Sequence, residues 1–358
     1  MKKAIGILIA LTMILAMVAA CGGGGGGSGS TLVGISMPTQ SSERWISDGN
    51  TLKDILEERG YEVDLQYAED DIPTQLSQIE AMITRGAKVL VIAAIDASTL
   101  VPVLDSAGEE GIYVIAYDRL LVDTDAVSYY ATFDNVKVGE LQAQSLIDGM
   151  TQHRGSPPWN VELFAGSPDD TNSFFFFSGA MNIIQPYIDR GDITIVSGQD
   201  TQEQVGTLRW DGAVAQQRMD AILAANYADG TPLHGVLSPY DGLSRGIISS
   251  LEAFGFRPGT DDWPIVSGQD AEAASISLIR DGIQFSTILK DTRDLARVAA
   301  DMVDAILDGR EPQINDTTTY HNGVKYVPSY LLVPHTVDIT NYQALVIDSG
   351  YLSESDIH

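Results

Sequence analysis

Short apolar runs rich in β-branched and aromatic residues alternate with helical patterns along most of the chain, and the alternation starts over partway through. "TLVGISM", "EVDLQYA", "KVLVIAAI", "YVIAYD" and "VSYYATF" come first, with "ERWISDGNTLKDILEERG", "IPTQLSQIEAMITRG" and "STLVPVLDSAGEEG" between them. The second set runs through "NVELFAGS", "ITIVSGQD", "HGVLSPYD", "PIVSGQD" and "IQFSTILK", again separated by helical stretches. Runs this apolar are buried on both faces, which calls for parallel strands covered by helices on either side. Asp71 reads as an N-cap with Pro73 in the first turn, and Gly60, Gly86 and Gly111 stop their helices. A chain of 358 residues is long for one domain. The class is therefore α/β, with two successive doubly wound domains. A last helix, "TRDLARVAADMVDAILDG", precedes two segments that read as extended, "TTTYHNG" and "KYVPSYLLVP".

The first twenty-one residues stand apart from this pattern. "MKKAIGILIALTMILAMVAAC" has two lysines, an apolar stretch and small residues before Cys21, the marks of an export signal. Its ending "VAAC" resembles a bacterial lipobox, which implies cleavage before Cys21 and acylation of that residue. Cys21 is the only cysteine, so an internal disulfide is excluded and stability rests on core size. "GGGGGGSGS" follows as a flexible tether. The formal charge is -28, and removing Lys2 and Lys3 takes it to -30. Such acidity argues against nucleic acid and against an anionic lipid surface as partners. Attachment to the membrane is expected through the lipid alone.

Nearly every strand run ends in polar residues. In open parallel sheets ligands bind outside the carboxyl ends of the strands, so two facing sheets would gather these ends in one cleft. The inventory there is Arg44, Asp118, Arg119, Asp169, Asn172, Arg209, Asp241, Asp270 and Lys290. It mixes donors and acceptors without an excess of one charge. Adjacent hydroxyls of a sugar need such a mixture, because each donates once and accepts up to twice. Trp45 and Trp210 also lie beside strand ends, and flat rings suit the apolar faces of a pyranose.

No catalytic set emerges. "SPDDTNS" carries two adjacent carboxylates, which point in different directions at a helix start. Asp169 and Asn172 are the ligand-contact candidates there, and Asp170 the cap. In "SFFFFSG" most rings belong to the core, and at best Phe174 reaches the cleft. The five histidines show no metal-ligand spacing, and there is neither a Gly-rich phosphate loop nor a G-x-S-x-G elbow. No metal and no cofactor are expected.

"PTQSSERWISDGN", "QLSQIEAMI", "VIAYDRL", "YYATFDN", "GSPDDTNSFFF", "TLRWD", "LSPYDGLSRGIISSL", "VSGQDAE" and "VPSYLL" together resemble the ChvE-type multiple-sugar-binding receptors and, more distantly, bacterial xylose-binding protein. The likeness runs from about Val33 to the C-terminus. It implies the type I periplasmic-binding-protein fold, two Rossmann-like lobes joined by a three-strand hinge, with crossings near Asn135, Lys290 and Val327. The lobes would then be 31–134 plus 291–326 and 135–290 plus 327–358, after a signal at 1–21 and a tether at 22–30. The resemblance implies a monomeric receptor holding a monosaccharide between its lobes and docking on an ABC permease, in some members also on a chemoreceptor or sensor.

Carried over by residue, it gives Arg44, Trp45, Asp118, Arg119, Asn172, Trp210, Asp270 and Lys290 as contacts, with Trp45 and Trp210 stacking on opposite faces. Asp169 and Arg209 join them. Where xylose-type relatives read "SND", this chain reads "SPYDG", which leaves the contact open between Tyr240 and Asp241. Two other classes compete, an envelope carbohydrate-active enzyme and the effector domain of a sugar-responsive regulator. The export signal and the lack of a basic headpiece argue against the regulator.

Overall fold

A computed structural model describes residues 30–357; the export signal, Cys21 and nearly all of the tether lie outside the described residues. The first lobe begins with β1 (Leu32–Met37), α1 (Glu43–Glu58), β2 (Glu62–Tyr67), α2 (Ile72–Thr84), β3 (Val89–Ile92), α3 (Val101–Glu109), β4 (Tyr113–Tyr117) and β5 (Val127–Phe133). The second holds α4 (Asn135–Arg154), β6 (Trp159–Leu163), α5 (Thr171–Asp189), β7 (Ile193–Ile195), α6 (Gln202–Val205), α7 (Gly212–Asn226), β8 (Gly235–Leu237), α8 (Asp241–Phe254), β9 (Ile265–Val266), α9 (Ala273–Arg280) and β10 (Ser286–Leu289). The chain then returns through α10 (Thr292–Leu307) and β11 (Ser329–Leu332) before β12 (His335–Asp338) and a short π-helical turn at Gln343–Ile347.

The sheets are as parallel as the continuous apolar runs demanded. One has six strands in the order β11-β5-β4-β3-β1-β2, another four in the order β7-β6-β8-β9. Alternate residues of one strand feed cores on opposite faces. On β3, Leu90 and Ile92 meet Ile79 and Met82 of α2, while Val89 and Val91 meet Leu52 and Leu56 of α1 and Val303 of α10. In the second sheet, Val161 and Leu163 face α4 and α5, and Val236 faces Met219 of α7 and Ile247 of α8. Asp71 caps α2 by accepting from the Thr74 amide at 2.8 Å. Asp134, Asp170, Asp211 and Asp291 cap α4, α5, α7 and α10 in the same way.

The chain passes between the sheets after β5, after β10 and after β11. The last passage corrects the boundary expected near Val327, because Ser329–Leu332 is still an edge strand of the first sheet, parallel to β5. The next strand, β12, pairs antiparallel with β10. Its residues "HTVD" bury a single apolar side chain, Val337, in four positions, too little pattern to be read from the sequence. "TTTYHNG" is a turn region tied by Asp316 and Asn322 side chains, not an extended segment.

Two close approaches set the second lobe's helices. A Cβ on Gly139 of α4 would run into the Phe176 carbonyl of α5, and one on Gly179 of α5 into the Val136 carbonyl of α4. Backbone packs on backbone here, and the contact fixes the rotation of α5. A buried polar hub joins α8 to the base of β10. Asp241 Oδ1 accepts from Gln284 Nε2 at 2.8 Å and Oδ2 from the Glu272 amide at 2.9 Å. Gln142 Nε2 of α4 reaches the Pro239 and Gly268 carbonyls in the same region, at 3.1 and 3.3 Å.

Gly179→Ala is expected to cost about 2–3 kcal/mol, because overpacking against backbone cannot relax through a rotamer; a thermal melt unchanged from wild type would contradict this packing. Burial, aided by the charge of Glu272, pushes the Asp241 carboxyl up to about 8. A carboxyl raised in the folded state is a group whose ionisation destabilises the fold progressively as pH rises from its unfolded value, near 4, to 8. The melting temperature of Asp241→Asn relative to wild type is therefore expected to climb from pH 4 to pH 8, and a constant difference would refute the burial account.

Candidate functional site

Between the lobes lies a cavity of about 510 Å3. Arg44 and Trp45 reach it from the first turn of α1, Asp118 and Arg119 from the end of β4, and Asn172 and Phe176 from the start of α5. Trp210, Tyr240, Gln269, Asp270 and Lys290 complete its inner wall. Four of these form a buried ring of charge. Arg44 Nη1 donates to Asp118 Oδ2 at 3.2 Å, and the same nitrogen lies 3.8 Å from Asp270 Oδ1. Lys290 Nζ lies 3.2 Å from Asp270 Oδ1 and 3.7 Å from Asp118 Oδ1.

Burial alone would push the Asp118 carboxyl up, but Arg44, Lys290 and Arg119 together hold it below the usual carboxylate range. Asp118 is thus an ionised acceptor. Asp118 Oδ1 and Asp270 Oδ1 are buried and ion-paired, 3.2 Å from Arg44 Nη2 and from Lys290 Nζ respectively, but neither accepts an aligned hydrogen bond. Such acceptors are costly unless something donates to them. A ligand with adjacent hydroxyls would supply such donors.

The backbone at these positions is held in the left-handed region. Asp118 has φ of 58° and Asp270 φ of 91°, unfavourable for residues with a Cβ. At Asp118 the surroundings enforce it: its carbonyl accepts from Tyr130 Oη at 2.7 Å, Thr132 Oγ1 at 3.0 Å and Asn172 Nδ2 at 2.7 Å. Asn172 belongs to the other lobe, so this bond also ties the lobes together. Arg209 and Trp210 are a second left-handed pair, with φ of 58° and 55°. Their turn puts the Trp210 ring flat over Gly166, where a Cβ would collide with it. Trp210 Nε1 then donates to Asp170 Oδ2 at 3.2 Å. Trp45, beneath the opposite wall, carries the Arg44 and Arg119 guanidinium groups at 4.3 and 5.1 Å from its ring centre.

Of the residues expected from the sequence, Arg44, Trp45, Asp118, Arg119, Asn172, Arg209, Trp210, Asp270 and Lys290 all line this one cavity. Asp169 does not. It turns outward to Arg209 Nη1 at 3.1 Å and to the Ser167 hydroxyl. Its neighbour Asp170 faces the cleft instead, with one oxygen capping α5 and the other 3.0 Å from Arg119 Nε. Burial raises the Asp170 carboxyl, with Arg119 working against it. Asp241 is likewise absent from the wall, committed to the buried hub, and Tyr240 lines the cleft in its place. Phe174 is exposed, while Phe176 enters the cavity with Lys290 Nζ 5.4 Å from its ring centre. Phe176 stands four residues after Asn172, one helical turn on the same face, and that spacing could have identified it. Gln269, inside the second "SGQD", carries no charge to mark it beside Asp270, yet it lines the wall as well. The first "SGQD" plays another part: its Ser197 and Gln199 bind Glu162 and Arg218, away from the cavity.

Among the described residues no group of three or more His, Cys, Asp or Glu is placed to hold a metal ion, and no helix is long and apolar enough to cross a membrane. Formal charge in the cavity wall balances. Arg44, Arg119, Arg209, Arg245 and Lys290 face Asp70, Asp118, Asp170, Asp211 and Asp270.

Residues 33–311 match the model of the periplasmic binding protein domain. The chain is 57% identical over 319 residues to the multiple sugar-binding periplasmic receptor ChvE of Rhizobium radiobacter, covering 89% of this chain and 90% of that protein. It is 36% identical over 326 residues to the D-xylose-binding periplasmic protein of Escherichia coli (strain K12), covering 91% and 92%. Among solved structures, an ABC transporter solute binding protein from Clostridium phytofermentans with bound β-D-glucose superposes with a TM-score of 0.88 at 47% identity, covering 92% of this chain and all of that one. Two parallel-sheet lobes closing on a charge-balanced cleft, and a match running through most of both, make this chain a member of the periplasmic binding protein family, in its type I fold.

Proposed function

We propose that the protein is the sugar-binding receptor of an ABC importer and takes a neutral aldose monosaccharide of the glucose, galactose, arabinose or xylose class into its cleft. The observation that carries this reading is the pair of buried carboxylate oxygens, Asp118 Oδ1 and Asp270 Oδ1, that accept no hydrogen bond beside two cations able to donate. Vicinal hydroxyls supply the missing donors, and Trp45, Phe176 and Trp210 supply apolar and aromatic wall. Equal numbers of cations and carboxylates favour a ligand without net charge. The relatives are named as receptors that bind sugars, which leaves the carbohydrate-active enzyme without support.

The loaded receptor delivers its sugar to the permease, and a chemoreceptor or sensor is a second docking partner for it. It works as a monomer. Cys21, acylated after cleavage of the signal, holds it at the outer face of the cytoplasmic membrane through the glycine-rich tether. These steps rest on the sequence and on the family.

Calorimetric titration with D-glucose, D-galactose, L-arabinose and D-xylose is expected to give saturable binding without consumption of the sugar, and no binding to any of them would reject the reading. Native-state binding also stabilises, by about 2.7 kcal/mol at a hundredfold excess over Kd, so the same sugars should raise the melting temperature. Asp118→Ala takes an acceptor from Arg44, Lys290 and the sugar hydroxyls together and should weaken binding by about 2–5 kcal/mol; unchanged affinity would remove Asp118 from the contact set. Cys21→Ser should move the protein from the membrane fraction to the soluble envelope fraction, and continued membrane attachment would disprove the lipid anchor.

A further inference from the structure

One carboxylate that a ligand cannot reach supports the charge ring. Asp48, fully buried, sits one turn after Arg44 on α1. Its Oδ2 accepts twice from the same guanidinium, from Nε at 3.0 Å and from Nη2 at 2.9 Å. Its Oδ1 accepts from the Tyr117 hydroxyl at 2.5 Å. Tyr117 is the last residue of β4 and immediately precedes Asp118. Asp48 therefore ties together the two first-lobe segments that bring charge to the cleft.

The geometry of the fork gives this tie a consequence. A guanidinium presents donors along two edges. Asp48 occupies the Nε/Nη2 edge, and the end of the fork faces the cleft: Nη1 lies 3.2 Å from Asp118 Oδ2 and 3.8 Å from Asp270 Oδ1, while Nη2 lies 3.2 Å from Asp118 Oδ1 without the alignment of a hydrogen bond. Released from Asp48, Arg44 could turn that edge onto Asp118 or Asp270 and consume acceptors that a ligand would otherwise use.

We propose that Asp48 is the positioning residue of the cleft, holding Arg44 by one edge so that the guanidinium stays out of hydrogen-bond alignment with Asp118 Oδ1 and Asp270 Oδ1, which are left for ligand hydroxyls. This rests on the sugar-receptor reading and adds a residue that never touches the sugar. Burial pushes the Asp48 carboxyl up to about 6, against the lowering effect of Arg44 and of the Tyr117 hydrogen bond. The other ionisable groups near it are Asp118 at the end of β4, Tyr67 of β2 and Tyr351 of the C-terminal segment. Asp118 stays ionised at lower pH and the tyrosines stay neutral to higher pH, which makes Asp48 the member of this cluster that titrates near pH 6. The ionised form is the one that holds both donors of Arg44, so grip on the sugar should weaken as pH falls through about 6.

The experiment is calorimetric titration of the purified protein with D-glucose, D-galactose, L-arabinose and D-xylose from pH 5 to pH 8. For whichever of these binds, wild-type affinity is expected to fall toward pH 5. Asp48→Asn should bind roughly ten- to a hundredfold more weakly at pH 8, with a flattened profile in the range where wild type changes. Tyr117→Phe keeps the carboxylate but removes a bond that lowers its pKa, so the midpoint of the profile should move to higher pH. That variant decides the matter if Asp48→Asn fails to fold. Asp48→Asn with wild-type affinity and profile, or Tyr117→Phe with an unmoved midpoint, overturns the positioning role alone. A wild type that binds none of the four sugars overturns the receptor reading, and this inference with it.

Discussion

Arg44, Asp118, Asp270 and Lys290 are buried charges, and burying charge costs several kcal/mol per group unless each finds partners. Each lobe supplies one close pair, Arg44 with Asp118 and Asp270 with Lys290, both at 3.2 Å. Arg44 and Asp118 come from the first sheet's side, Asp270 from the second, and Lys290 from the end of β10 where the chain crosses back. Where the lobes meet, the longer contacts from Arg44 to Asp270 at 3.8 Å and from Lys290 to Asp118 at 3.7 Å join the two pairs into a ring that only the closed arrangement holds. A ligand that donates to the remaining carboxylate oxygens adds to the closed state and gives nothing comparable to an open one. Differential affinity of that kind shifts a hinge equilibrium, whatever the order of binding and closing.

The backbone around the ring shows what holding it requires. Asp118, Arg209, Trp210, Asp270 and Ala271 all have positive φ. A residue with a Cβ in that region is disfavoured by about 1–2 kcal/mol and persists only where its surroundings leave no alternative. Three donors fix the Asp118 carbonyl, and Gly166 is the one residue type that admits the Trp210 ring above it. Stability is spent at the cleft and recovered from the cores on the sheet faces, where β3 alone fills both sides of its sheet.

The fold class and most of the cavity wall were legible because strand-end positions follow from the alternation of apolar runs and helices. What could not be read was orientation at single-residue resolution. One residue along a helix turns a side chain by about 100°, and that step separates Phe174, Phe175 and Phe176 as it separates Asp169 from Asp170 at the helix start. Tyr240 and Asp241 sit on the same kind of junction; there the buried donors of Gln284 and the Glu272 amide draw the carboxylate inward and leave the phenol in the cleft. The assignment of Ser329–Leu332 to the wrong lobe has another origin. A four-residue edge strand says nothing locally about which sheet it joins, since pairing with β5 is a contact made across nearly two hundred positions.

Charge gives the sharpest argument about what this cleft admits. The chain as a whole is strongly acidic, at -28, yet the cavity wall sets five cations against five carboxylates. If the acidity were merely spread at random, the wall would carry a negative excess. Among the wall groups least open to water, Arg44, Arg119 and Lys290 face Asp118, Asp170 and Asp270, so balance holds where imbalance is most costly. A ligand bearing its own charge would disturb that balance among the buried groups. A neutral polyol does not disturb it, since it takes up donors and acceptors in pairs. The acidic surface and the neutral cleft thus answer to different demands, solubility outside and hydroxyl recognition inside, and only the second decides what the protein binds.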